Sequence, residues 1–282
     1  MKRALGILAG GGPLPGQVAA AARAAGRSVF LVGLAGFADP AVLAPWPHEV
    51  VRILAAGRII AALREHGCQD LVLVGPVRRP SLLGLRPDAE GARLLARIGR
   101  AAFAGDDGLL AAVVKVFSEE GFRVVGAHEI LSEALGPAGL LSRAAPDALA
   151  MADIRRGIAV TRALGAVDVG QGCVVQQGIV LAVEAAEGTD AMLSRCAPLA
   201  WPGPGGVLVK LVKPGQDRRA DLPTIGPDTI RGARSAGLRG VAFEAGGTIL
   251  AERDAAIAEA DAAGLFLLGL GPDQLSEMGE NT

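Results

Sequence analysis

The chain has 282 residues, 51% of them hydrophobic, and its 28 Lys and Arg against 29 Asp and Glu leave a formal charge of −1. That length favours two domains over one core, and the near-neutral balance excludes a general electrostatic attraction to nucleic acid. Cys68, Cys173 and Cys196 are widely spaced with no CxxC pair, which excludes a disulfide framework and suits reduced, buried thiols in a cytosolic protein.

In chain order, "RALGILAGGGPLP" is a short apolar strand running into a glycine turn, and the break in its apolar run rules out a secretory signal. "GQVAAAARAAGR" has a helix pattern from Gly16 to Gly26. "SVFLVGLAG" is a second strand, "VVRI" a third, "GRIIAALREHGC" a helix and "DLVLVGPV" a fourth strand. After the loop "RRPSLLGLRPD", residues 89–122 read as two helices parted at Gly105, and "RVVGAHEIL" as a strand. Continuous apolar strands alternating with helices indicate a parallel sheet covered on both faces. Residues 132–147, "SEALGPAGLLSRAAPD", carry neither period and read as a linker. This sets an N-terminal α/β domain over 1–131 and a C-terminal α/β domain over 148–282. The latter opens with the amphipathic helix "ALAMADIRRGIAVTRALG". Two strands joined as a hairpin at "QQG" follow, and the chain finishes in "RDAAIAEADAAGLFLLGL", a helix and a buried strand. No run approaches ~18 apolar residues, so no transmembrane helix is expected, while a mean hydropathy of +0.40 leaves contact with a membrane surface open.

The glycine turn, Gly10, Gly11 and Gly12, lies where a strand meets a helix, the position of a phosphate loop. It lacks GxGxxG, holds Pro13 and Pro15, and no acidic residue ends the next strand, which argues against NAD. A tight turn or a sugar-nucleotide phosphate contact remain. Asp106 and Asp107 precede a helix; one explains an N-cap and leaves the other for function. His128 is placed at a strand end, the ligand edge of a parallel sheet.

"VLAVEAAEGTDAML" gathers Glu184, Glu187, Thr189 and Asp190 around Gly188, hard oxygen donors of the kind Mg²⁺ takes, though also ordinary residues of a helix start. "VKPGQDRRADLPTIGPDTI" supplies Lys213, Asp221 and Thr224, with Lys210 just upstream. Cations beside a carboxylate suit a phosphate held next to a metal, and equally a solvated loop of ion pairs. Asp221 stands alone in an apolar run, so its charge needs a partner or a ligand.

"LGILAGGGPLP", "KVFSEEGFRVVGAHEIL", "DVGQGCVVQQGIVLAVEAAEGTDAML", "RADLPTIGPDTI" and "GLFLLGL", in this order from about residue 3 to 271, resemble the LpxI-type UDP-2,3-diacylglucosamine pyrophosphatases of lipid A biosynthesis. The resemblance implies a Rossmann-like N-terminal domain, a mixed C-terminal domain and an active site in the cleft between them. It further implies a cytosolic, Mg²⁺-dependent hydrolase at the inner membrane surface that forms a homodimer and releases UMP and 2,3-diacylglucosamine 1-phosphate. The aspartate of its DLPTIG block, essential in that family, matches Asp221. Hydrolysis of a pyrophosphate independently requires neutralised anionic oxygens and a positioned water. On that reading Asp221, Lys213 and Thr224 are catalytic, and Asp221 and Asp190 bind Mg²⁺. Gly10–Gly12, Asp106, Asp107, His128, Gln171, Glu184, Gly188 and Thr189 would hold substrate, and Leu82, Leu83 and Leu85 would contact its acyl chains. A nucleotide-dependent oxidoreductase and a non-catalytic sugar-nucleotide or lipid binder are the alternatives.

Overall fold

The computed structural model describes residues 2–77, 91–93, 96 and 106–280. The chain forms two compact units: Met1–Ser132 joined by Asp217–Asp221, and Glu133–Gln216 joined by Leu222–Thr282.

In unit 1, strands β1 (Ala4–Ala9), β2 (Val29–Leu34), β3 (His48–Val51), β4 (Cys68–Val74) and β5 (Arg123–Val124) lie in the order β3-β2-β1-β4-β5, all parallel. β1 and β2 are buried at five successive positions, Leu5–Ala9 and Phe30–Leu34, so both faces are covered and the strands read as continuous apolar runs. Leu8, Phe30, Val32, Leu63, Leu71, Val114 and Phe117 fill one core. The chain steps outward from β1 to β3 and then crosses back to β4, so its direction reverses between β1 and β4. The first helix runs over Leu14–Ala24 rather than from Gly16. Pro15 falls in its first turn, where a missing N–H costs nothing. Asp70, 1% exposed at the opposite end of the sheet, is bound by Arg27 and Arg123 at 2.5 and 2.8 Å. Burial alone would raise its pKa, but the two guanidiniums more than offset that and hold it below the ordinary value.

"RVVGAHEIL" is not one strand. β5 ends at Val124, Gly126 turns the chain, and Ala127–Ile130 makes one helical turn. The Glu129 carboxylate accepts the Gly126 N–H at 2.8 Å and fixes that turn. A short apolar run cannot separate the two states by period. Among the paired helices expected over 89–122, Asp106–Glu119 is present, and most of the first lies outside the described residues, as does the Leu82–Leu85 loop.

Unit 2 holds a six-stranded sheet in the order β6-β13-β11-β9-β7-β8, made of β6 (Gly139–Leu140), β7 (Gly172–Gln176), β8 (Ile179–Val183), β9 (Val207–Lys210), β11 (Gly240–Glu244) and β13 (Phe266–Leu270). The centre, β13-β11-β9, is parallel, while β6 pairs antiparallel with β13, β7 with β9, and β8 with β7. β10 (Thr224–Ile225) and β12 (Ile249–Leu250) form a separate parallel pair. The stretch 132–147 is not a free connector, because β6 lies within it and is paired into this sheet. Two residues are too few to show a period.

The helix Ala148–Ala166 is capped by Asp147, whose carboxylate accepts the Ala150 N–H at 2.7 Å. It packs so closely that a Cβ on Gly157 would lie 2.5 Å from Val209. The β7–β8 turn has Gln177 at φ 51° and Gly178 at φ 80°, the left-handed pair that a two-residue hairpin requires. Asp153, buried on the helix, accepts both turn N–H groups at 3.1 and 2.7 Å. A last helix, Pro272–Glu280, follows the strand at which the sequence pattern stops. No described helix is long and apolar enough to cross a membrane. All three cysteines are free and buried, and burial pushes Cys68 and Cys173 up to about 11, so neither is a ready nucleophile.

Candidate functional site

Strand register decides which polar residues meet in unit 2. Gly172 of β7 lies opposite Lys210 of β9, and Cys173 lies opposite Val183 of β8. Glu184, one residue past β8, therefore comes level with Gly172 and donates its N–H to the Gly172 carbonyl at 2.8 Å. Lys210 ends β9, and Gln171 precedes β7, its carbonyl accepting the Leu211 N–H at 3.0 Å. All three thus collect at the end where the parallel strands finish, the ligand edge of α/β sheets.

Thr189 completes the group from the helix Gly188–Ser194. Lys210 Nζ donates to Thr189 Oγ1 at 2.6 Å and, more weakly, to the Thr224 carbonyl at 3.3 Å. Thr189 Oγ1 lies 2.8 Å from Glu184 Oε1. An ammonium can only donate, so the threonine hydroxyl accepts from Lys210 and donates its own O–H to the carboxylate. Lys210 is 5% and Glu184 7% exposed, and Glu184 Oε2 and Gln171 Oε1 are buried with no hydrogen-bond partner among the described residues.

The "VGQG" glycines make room for this group. A Cβ on Gly170 would lie 2.0 Å from the Glu184 carbonyl oxygen, and one on Gly172 would lie 2.7 Å from Glu184 Oε2. Gly188 is needed for its backbone: φ is 79° and nothing crowds its missing Cβ.

Of the residues singled out in this part of the sequence, Gln171, Glu184, Thr189 and Thr224 gather at one sheet end with Lys210. Thr224 contributes its carbonyl, since its hydroxyl turns to the Leu222 carbonyl at 3.3 Å. Asp190 is exposed. Lys213 is buried and forms an ion pair with Asp168 Oδ1 at 2.6 Å. Lys210, noted in the sequence just upstream of Lys213, is a member of the cluster through Thr189. The signal for it was a lysine ending the apolar run "GGVLVK", as Glu184 ends "IVLAVE".

In unit 1 the glycine turn lies at the β1/β4 switch point, but its first two amides are engaged. Gly10 N–H donates to Val74 O and Gly11 N–H to Pro76 O, both at 2.9 Å, and a Cβ on Gly10 would lie 2.3 Å from Gly75 O. Close packing of two turns, rather than phosphate binding by those amides, accounts for Gly10 and Gly11; Gly12 has φ 73°. Asp107 is half-buried in the first turn of the Asp106–Glu119 helix, to which Asp106 also belongs.

His128 sits in the short helix rather than at a strand end, with its ring laid over Gly126 beside the Arg218 backbone. Burial, reinforced by the Arg218 charge and opposed by Glu129, pushes its pKa below the ordinary value and leaves it neutral at physiological pH. Arg218 belongs to the segment Asp217–Asp221, where Asp217 pairs with Arg219 at 2.7 Å and Asp221 is half-buried, its N–H donating to Asp217 O at 3.3 Å. Among the described residues no group of three or more His, Cys, Asp or Glu could by itself hold a metal ion.

The model of the LpxI N-terminal domain matches residues 4–134, and that of the LpxI C-terminal domain matches residues 137–268. The curated UDP-2,3-diacylglucosamine pyrophosphatase LpxI of Caulobacter vibrioides is 46% identical over 278 residues, spanning 96% of this chain and 99% of that protein.

Proposed function

The chain belongs to the LpxI family, and on that premise we propose that it is a UDP-2,3-diacylglucosamine pyrophosphatase of lipid A biosynthesis, releasing UMP and 2,3-diacylglucosamine 1-phosphate. The observation that carries this reading is identity to a protein of that activity along nearly the whole chain, through both domains.

The residues suit the reaction. A pyrophosphate brings negative oxygens, and displacement at phosphorus is accelerated chiefly by positioning and by charges already in place. Lys210, at the Thr189 end of the unit 2 sheet, offers a positive donor, while Gln171 Oε1 and Glu184 Oε2 are buried acceptors with no partner among the described residues. Asp221, half-buried and three residues along the chain from Thr224, is assigned to orient the attacking water. The family resemblance assigns Mg²⁺ to Asp221 and Asp190, both hard oxygen donors, and within unit 2 Glu184 Oε2 is a buried carboxylate oxygen with no hydrogen-bond partner among the described residues. An ion that keeps several waters and shares substrate phosphates needs no three-residue protein cage. When bound, Mg²⁺ supplies charge neutralisation at the phosphoryl oxygens. An acylated substrate supports a peripheral location at the cytoplasmic face of the inner membrane, and the family resemblance supports a homodimer.

The test is phosphorus NMR of the protein with UDP-2,3-diacylglucosamine and Mg²⁺, beside Asp221→Ala and an EDTA control. Conversion to UMP and a sugar 1-phosphate, abolished in both controls, is the expected result. Binding without conversion would make the protein a sugar-nucleotide binder instead.

A further inference from the structure

We propose that Lys210 is a phosphate-contacting catalytic residue and that Thr189 and Glu184 are positioning residues that hold its ammonium for the substrate. This rests on the pyrophosphatase reading and adds to it a division of labour.

Two buried lysines of unit 2 are compensated in different ways. Lys213 and Asp168 meet directly at 2.6 Å, so each charge is largely cancelled by the other. Lys210 and Glu184 are as deeply buried, yet they do not meet; Thr189 Oγ1 stands between them, 2.6 Å from one and 2.8 Å from the other. A buried ammonium without compensation is costly, and a direct carboxylate contact is the usual remedy. An interposed hydroxyl offsets burial while leaving the positive charge uncovered.

The donors and acceptors point the same way. Thr189 and the Thr224 carbonyl account for two of the three ammonium N–H groups, and the latter bond is long at 3.3 Å. Among the described residues Glu184 accepts a side-chain hydrogen bond at Oε1, from Thr189, while its Oε2 is buried with no partner. Gly170 and Gly172 are small where larger residues would displace Glu184, so the fold makes room for a carboxylate that no packing need explains. A charge held in advance, with little to reorganise when phosphate oxygens arrive, is the arrangement that lowers a phosphoryl-transfer barrier.

The experiment compares Lys210→Met, Thr189→Val, Thr189→Ser and the Lys210→Met/Thr189→Val double variant in the full chain. It reads kcat and KM for UDP-2,3-diacylglucosamine, calorimetric affinity for the same substrate, and thermal unfolding. Lys210→Met is expected to lower kcat about a hundredfold. Thr189→Val should lower kcat about tenfold with KM little changed, and Thr189→Ser, which keeps the hydroxyl, should restore it. If Thr189 acts through Lys210, the double variant will be no slower than Lys210→Met alone. Multiplying losses, equal defects in Thr189→Ser and Thr189→Val, or a wild-type rate in Lys210→Met would overturn the proposal. Should Lys210→Met fail to fold, the two threonine variants decide. A wild type that binds without cleaving removes the hydrolase reading and leaves affinity to judge Lys210: unchanged binding in Lys210→Met overturns its phosphate contact. No binding at all overturns both.

Discussion

Removing Lys213 leaves Asp168 as a partly buried carboxylate without its ammonium, and Asp168 already holds a left-handed backbone, φ 53°, at the end of the long helix. Lys213→Met is therefore expected to cost roughly 3 kcal/mol in unfolding free energy, the lower end for a broken buried pair. Its kcat, measured on the folded fraction, should fall less than that of Lys210→Met, because the Lys213 ammonium is held directly against a carboxylate at 2.6 Å. Urea unfolding beside steady-state kinetics checks both halves. A collapsed kcat at unchanged stability would return Lys213 to the catalytic role that the sequence suggested. Sequence alone could not rank the two lysines, since both sit in the same basic stretch and only their partners, 21 and 45 residues away, distinguish them.

Among the elements, the β7–β8 hairpin carries the site at one end and its turn at the other. Gly172→Ala puts a methyl group 2.7 Å from Glu184 Oε2, so the carboxylate must shift and loosen its bond to Thr189. The expected result is about a tenfold fall in kcat/KM from one weakened charge-assisted bond. The loss of melting temperature should be smaller than in Gly170→Ala, whose methyl meets a backbone carbonyl at 2.0 Å. Equal stability and rate defects in both variants would mean that Gly172 serves packing alone. The hairpin was legible because its turn residues and apolar flanks are local, as were the long helix and the buried parallel strands. The Ala127–Ile130 turn, β6 and the long-range group around Thr189 were not. The first two are shorter than any period, and the third exists only once β7, β8 and β9 are in register.

At the scale of the whole molecule, the path of the chain bears on catalysis. Lys210 and Thr224 belong to unit 2, but Asp217–Asp221 between them groups with unit 1. Ala220 packs against the unit 1 core, and the Arg218 carbonyl lies 3.1 Å from where a Cβ on Gly126 would stand. The aspartate to which the family resemblance gives the central role is thus supported by residues some 95 positions earlier, a dependence that no boundary drawn along the sequence can show. Gly126→Ala tests it in the full chain. Its methyl would lie 2.2 Å from the His128 ring and would press the ring and the Arg218 backbone apart. Displacement of a reacting group by about 1 Å costs up to a hundredfold, so kcat should fall between about ten- and a hundredfold. Substrate affinity should change less than kcat. The contrast to measure is kcat against calorimetric affinity, with circular dichroism confirming a folded chain. A wild-type kcat in folded Gly126→Ala would show that Asp221 keeps its position without this contact, and would place its support within the segment itself.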